Sequence, residues 1–303
     1  MFATLLGSLP RPPLAADASV DALVEAVVRA QESAGLDPVT DGGQHADTPP
    51  LEAWRATSRH TALAVKQVIG GPYTVGRSAG GSAGERAAAT LARADALNVD
   101  LRELADAGCP MIEVHEPAAT SIGTDAAERT LFREAHARLL AGVAGTHLSL
   151  ALTGGNAHEA GIETLLAAPY SSLAVDLIAG PDNWRLVAVT PGELGIVCGV
   201  LPASEGTDDG PELLLWAAAY AASTGGRGPA RVGLATASSL AQLSWEDAVR
   251  KMDRLGAAAG QAELPADEAA QALDPRAVSS RRAALGRVEP PPPRDPDRGH
   301  DPT

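Results

Sequence analysis

Eight short apolar runs, each followed by a longer amphipathic stretch, constrain the fold of this 303-residue chain more than any other feature. The runs fall at residues 3–8, 38–41, 68–75, 111–115, 146–152, 172–178, 195–200 and 230–236. Runs of this length, bounded by Gly, Pro, Asp or Asn, read as buried strands. Between them Leu, Val and Ala recur at helical spacing, most clearly over 20–33, 87–107, 126–140, 211–223 and 245–259. Strands apolar on both faces and separated by helices form a parallel sheet that those helices cover. Eight such units in one chain of this length predict an α/β fold, a (β/α)8 TIM barrel forming a single domain over 1–288. From residue 289 the periodicity gives way to Pro290–Pro293 and a mixture of Arg, Asp, Pro and Gly, which predicts a disordered tail over 289–303.

Charge and composition narrow the partners. The chain carries 24 Lys and Arg against 38 Asp and Glu, a net charge of −14, with no basic stripe to neutralise a phosphate backbone. Aromatic residues make up only 3% of it, leaving little to stack on bases. Nucleic acid is therefore excluded, and a small-molecule substrate is expected. No uninterrupted run of about 18 apolar residues offers a membrane span. Two cysteines, Cys109 and Cys198, and a start without the basic flank and long apolar core of a signal peptide predict a reducing, cytoplasmic setting. The oligomeric state is left open.

In such a barrel, catalytic groups stand at the C-terminal ends of the strands. Those positions carry Gly7 and Ser8, Asp41, Thr74 and Arg77, His115 and Glu116, His147 and Ser149, Asp176, Cys198 and Thr236. The sharpest signal is Glu113-Val114-His115-Glu116-Pro117, where an apolar strand ends in a carboxylate, an imidazole and a second carboxylate before a proline stops it. A carboxylate partly withdrawn from water suits acid or base work, and an adjacent histidine can share its proton. Blander readings stand beside this one. A lone histidine is as readily a donor in a packed interior, and Asp41-Gly42-Gly43 is also ordinary turn chemistry. Cys198 on an apolar strand reads as core before it reads as a nucleophile, and Arg77 meets either an anionic group or solvent. The Gly-rich stretch 76–84 lacks the Gly-Lys-Ser/Thr ending of a phosphate cradle and predicts a mobile loop over the site. No Gly-x-Gly-x-x-Gly supports a dinucleotide site. His60, His136 and His158 lie in helical stretches and are expected to face solvent.

Five motifs then fall together in order: Leu5-Leu6-Gly7-Ser8-Leu9-Pro10, residues 35–44 (GLDPVTDGGQ), Gly71-Pro72-Tyr73-Thr74, residues 112–118 (IEVHEPA) and residues 195–200 (GIVCGV). Over about residues 3–260 the chain resembles the catalytic domain of the cobalamin-independent methionine synthase family. The resemblance implies the same barrel, shared with the uroporphyrinogen decarboxylase superfamily, and methyl transfer with methyltetrahydrofolate as donor. In that family a zinc ion held by His, Cys, Glu and Cys activates the homocysteine thiol. Here the His-x-Cys position reads His147-Leu148-Ser149, the Glu position matches Asp176, and residues 233–238 contain no cysteine, so a thiolate-rich zinc site is not expected. The family's Asp-Gly-Glu ends here as Asp41-Gly42-Gly43, and its Asp-Glu-Pro is His115-Glu116-Pro117; both exchanges remove carboxylates that would hold the homocysteine ammonium. The family's Asp-x-His acid is matched by Cys198-Gly199-Val200. The resemblance thus implies a methyltransferase acting on an acceptor other than homocysteine. Its catalytic groups would be Glu116, His115 and His147, its substrate-binding residues Gly7, Ser8, Asp41, Arg77, Asp176 and Cys198, and it would use no metal. The alternatives are a lyase or decarboxylase of the wider superfamily, gripping a carboxylate through Arg77, and a non-catalytic binding barrel.

Overall fold

Seven of the eight apolar runs form one parallel sheet in the computed structural model, which describes residues 1–205 and 210–262. The strands are β1 (Phe2–Thr4), β2 (Lys66–Gly70), β3 (Met111–His115), β4 (His147–Leu152), β5 (Ser172–Asp176), β6 (Gly195–Leu201) and β7 (Val232–Thr236), in the order β1-β7-β6-β5-β4-β3-β2. Nine α-helices are found among the described residues: α1 (Val20–Ser33), α2 (Pro50–Ser58), α3 (Pro72–Ser78), α4 (Ala83–Asp106), α5 (Ala126–Leu139), α6 (Ile162–Leu165), α7 (Trp184–Val189), α8 (Pro211–Ser223) and α9 (Trp245–Gln261). Their starts follow the local sequence. The side chains of Ser19, Ser82, Asp125 and Ser244 accept the first free N–H groups of α1, α4, α5 and α9, and Pro50, Pro72 and Pro211 open α2, α3 and α8, where a missing N–H costs nothing. The predicted tail lies outside the described residues. None of the described helices is long and apolar enough to cross a membrane.

The second predicted strand, 38–41, is reduced to a single bridge between Val39 and Val65. Two neighbours take the groups that a strand would give to its ladder. Pro38 has no N–H to donate, and the Gln31 side chain of α1 claims both the Thr40 N–H (2.9 Å) and the Thr40 carbonyl (2.7 Å). The segment still ties the sheet's two edges together: Asp37 N–H donates to Ala3 of β1, and Lys66 N–H of β2 donates to Val39. Lys66 Nζ also reaches Leu5 O, just beyond β1, at 2.7 Å. The sheet is therefore curled, with edges one side chain apart, in place of the eight-strand ladder expected.

The run at 68–75 was expected to be all strand, and Gly70 ends it because Pro72 starts a helix. The stretch 76–84 is helix, turn and helix, not a loop over the site. Gly76 packs so closely on the Thr90 backbone that a Cβ would not fit, and Ser82 and Glu85 form a capping box. Alternation along each strand separates two interiors. Ile69, Ile112, Val114, Leu150, Leu173, Ile196, Cys198 and Leu234 face the helices, where they are packed with Leu97, Leu101, Leu104, Phe132, Leu214 and Leu255. Each fully buried side chain of this kind contributes about 1.5–3 kcal/mol, so this layer holds the helices on the sheet. Leu6, Ala151, Ala174, Val197 and Ala235 fill the inside of the curl.

Candidate functional site

A cavity of about 510 Å³ opens beside the bridging segment, at the C-terminal ends of β1 and β3 and along β2. Gly7, Ser8, Asp41, His45, Gly70 and His115 line it, with Gln67, Arg93 and Asp100 on the α4 side. It lies there because the short bridge leaves the edge of β2 uncovered past Lys66; Gln67 Nε2 donates to Val68 O at 3.2 Å. Gly7 has φ +90°, and a Cβ there would overlap the backbone of Ser239. Ser239 Oγ and Leu240 N–H both donate to Ser8 O, fixing this wall against the loop after β7. The Asp41 carboxylate accepts from Gly43 N–H (2.9 Å) and His45 N–H (3.2 Å) and lies 3.3 Å from His45 Nδ1. Burial pushes its pKa up, but the hydrogen bonds from His45 and Gly43 outweigh it and hold the group below the usual carboxylate range. Asp41 thus makes its turn and presents a charge to the cavity.

His115 stands on the cavity wall at the end of β3, and its partner is not Glu116. Glu113, two residues earlier on the same face of β3, lies with Oε1 2.8 Å from His115 Nε2 and 2.8 Å from Lys66 Nζ. Neither the Lys66 nor the Glu113 side chain is exposed at all. Burial alone would raise the Glu113 pKa, but the Lys66 charge and the His115 contact bring it down to about 2. Inside the curl the carboxylate is therefore held ionised at neutral pH.

Glu116 was expected to share a proton with His115, and the structure gives it other neighbours. It is fully buried, and its oxygens accept from Tyr73 N–H (2.9 Å), Thr74 N–H (2.7 Å) and Thr74 Oγ (2.5 Å), all at the start of α3. A negative charge at a helix N-terminus satisfies free donors and meets the positive end of the dipole. Gly71 is there because a Cβ would collide with this carboxylate. His136, expected to face solvent, is 1% exposed, with Nε2 3.2 Å from Glu116 Oε1 and Nδ1 2.5 Å from Tyr170 OH.

The other expected site residues are dispersed. His147 starts β4, four register rows below the position level with His115, which is roughly 13 Å at ~3.3 Å per residue. Its Nε2 lies 2.8 Å from Ser172 Oγ, beside a second cavity of about 360 Å³ at the N-terminal ends of the strands. Partial burial lowers its pKa, against the pull of the Glu113 charge. Asp176 is buried, and its carboxylate is occupied by the N–H groups of Gly154, Ile178 and Ala179 at 2.9–3.0 Å. Cys198 faces the helices, not the cavity, and burial pushes its thiol up to about 12. Arg77 lies in the last turn of α3, paired with Glu128 at 3.0 Å and lying over the Tyr73 ring. Among the described residues, no three His, Cys, Asp or Glu side chains are grouped to hold a metal ion. The zinc positions that the family resemblance points to, His147, Ser149 and Asp176, do not fit one: His147 lies six residues of strand from the level of Asp176, whose oxygens are already bonded.

Two solved structures share this fold along almost their whole length. The B12-independent methionine synthase from Shewanella sp. W3-18-1, in complex with selenomethionine, superposes with a TM-score of 0.71 at 15% identity, over 85% of this chain and 96% of that one. The putative vitamin-B12 independent methionine synthase from Listeria monocytogenes gives 0.66 at 15% identity, over 88% and 98%. A methyltransferase from Methanosarcina mazei gives 0.52 at 15% identity, over 70% and 63%. No protein-family model and no curated protein matches the sequence. At such identity the likeness establishes the fold alone.

Proposed function

We propose that the protein is a small-molecule methyltransferase that moves a methyl group from methyltetrahydrofolate to an acceptor other than homocysteine. The observation that supports this reading most is the cavity at the ends of β1 and β3, with His115 on its wall, in a fold shared with methionine synthases. A volume of about 510 Å³ is in the range of small-ligand sites. His115 takes the proton of the acceptor's X–H group, the freed pair on X attacks the methyl carbon, and the carbon–N5 pair stays on the folate nitrogen, which is then protonated. Asp41, charged on the cavity lining, and Ser8 orient the acceptor, while Glu116 positions the end of β3 against α3.

Energetics select the acceptor class. Moving a proton from a thiol to imidazole spans about two pKa units, roughly 3 kcal/mol. A hydroxyl of water-like acidity would cost on the order of 12 kcal/mol before any bond forms. These reference acidities favour a thiol as the acceptor. Calorimetric titration with methyltetrahydrofolate tests the donor. Saturable binding that weakens in a Ser8→Trp variant, which fills the cavity, is the expected result; no binding at millimolar donor sinks the folate part of the reading.

A further inference from the structure

Lys66 and Glu113, both buried, form a row with His115 on the cavity wall, and the chemistry of the middle member fixes the state of the last. An ionised carboxylate only accepts hydrogen bonds, so the 2.8 Å contact to Glu113 Oε1 requires the proton on His115 Nε2. Lys66 Nζ is held from two sides, by Glu113 Oε1 at 2.8 Å and by Leu5 O at 2.7 Å, so the oxygen that meets His115 is tethered. With neither partner exposed, salt does not screen the pair. When the ring is neutral, Nδ1 carries the lone pair.

We propose that Lys66 and Glu113 are positioning residues that hold His115 as its Nε2–H tautomer, so that Nδ1 is the atom that receives the acceptor's proton. This rests on reading the cavity as the site of methyl transfer. The X–H bond breaks, the proton joins Nδ1, and the imidazolium is steadied by Glu113; the proton then leaves from Nδ1 to solvent or to the departing folate nitrogen. Glu113 keeps its charge throughout, since its carboxyl is held far below the range of an imidazole. Lys66 offsets that charge, which spares the empty site an uncompensated buried anion.

Nuclear magnetic resonance of the full chain labelled with ¹⁵N-histidine, at a pH where the ring is neutral, tests the proposal without any substrate. A His115→Asn variant assigns the signal. The expected wild-type spectrum has Nε2–H favoured by about tenfold or more, with an exchange-protected Nε2 proton, as a charge-assisted hydrogen bond gives. In Glu113→Gln, and in the double variant Lys66→Met with Glu113→Leu, the preference falls by about tenfold and protection is lost. An Nδ1–H ring in the wild type, or an unchanged ratio in either folded variant, overturns the proposal. The wild-type spectrum decides alone if neither variant folds. A fixed tautomer with no methyl transfer to any acceptor would instead fault the reading of the cavity.

Discussion

Replacing Lys66 with methionine leaves the Glu113 carboxyl without its counterion, with no exposed side-chain surface and only His115 to meet it. Breaking one partner out of a buried ion pair costs about 3–5 kcal/mol, because the remaining charge has lost both water and its counterion. The Leu5 carbonyl loses its 2.7 Å donor as well, which adds about 1 kcal/mol. At roughly 2–4 °C per kcal/mol for a domain of this size, the total of about 4–6 kcal/mol should lower Tm by about 8–24 °C. Adding Glu113→Leu to the same chain removes the stranded charge, and the double variant should recover most of the loss, since apolar replacements of buried pairs are often neutral. Differential scanning calorimetry of the wild type, both single variants and the double variant closes the cycle. A Lys66→Met protein that melts within about 2 °C of the wild type, or a double variant no better than its parent, would refute the argument that this pair is desolvated and mutually dependent.

Acid should act through the same carboxyl. Its pKa is depressed from 4.5 to about 2, so the stability it contributes is complete above pH 4.5 and is lost as the pH falls from there towards 2. Denaturant titrations across that interval should have a shallower pH slope in Glu113→Gln than in the wild type; an identical slope contradicts the assignment. Glu116→Gln presents an amide where α3 offers donors, and should cost about 1–3 kcal/mol in denaturant unfolding. Unchanged stability with lost methyl transfer would make Glu116 a catalytic group and not a cap. Both cysteines are buried, with thiols pushed up to about 11 at Cys109 and about 12 at Cys198. Neither should react with a thiol reagent at pH 8 until the chain unfolds; rapid labelling of either cysteine in the native protein would contradict its burial.

Much of the fold is written in local sequence. The helical period over 20–33 and 211–223 and the apolar run at 111–115 coincide with α1, α8 and β3 residue for residue, because caps, prolines and strand ends are decided by near neighbours. The lost second strand is not local: nothing in residues 38–41 says that the Gln31 side chain takes the Thr40 backbone. The site divides in the same way. Glu113 and His115 share a face by the two-residue period, a signal that was present but eclipsed by the adjacent Glu116. His136 was also legible, since it continues the apolar stripe of Phe132, Ala135 and Leu139 at helical spacing. Cys198 reads as core from its apolar strand and is core; its place among the binding residues came from its position at the strand end, and β6, apolar on both faces, gives no sign of which side is the cavity. Lys66 opens its strand like any solvated lysine, and only the curl of the sheet turns it inward against Glu113.

Single-turnover transfer of an isotopically labelled methyl group is the most direct test of the central claim. Wild-type protein would be mixed with labelled methyltetrahydrofolate and a panel of small thiols, beside a His115→Ala variant shown by its melting curve to be folded. The account predicts label in at least one thiol other than homocysteine, at a rate lowered by about 10²–10⁴ in His115→Ala, the span a positioned base contributes. Transfer at equal rate in the variant, or no label in any thiol, would contradict it.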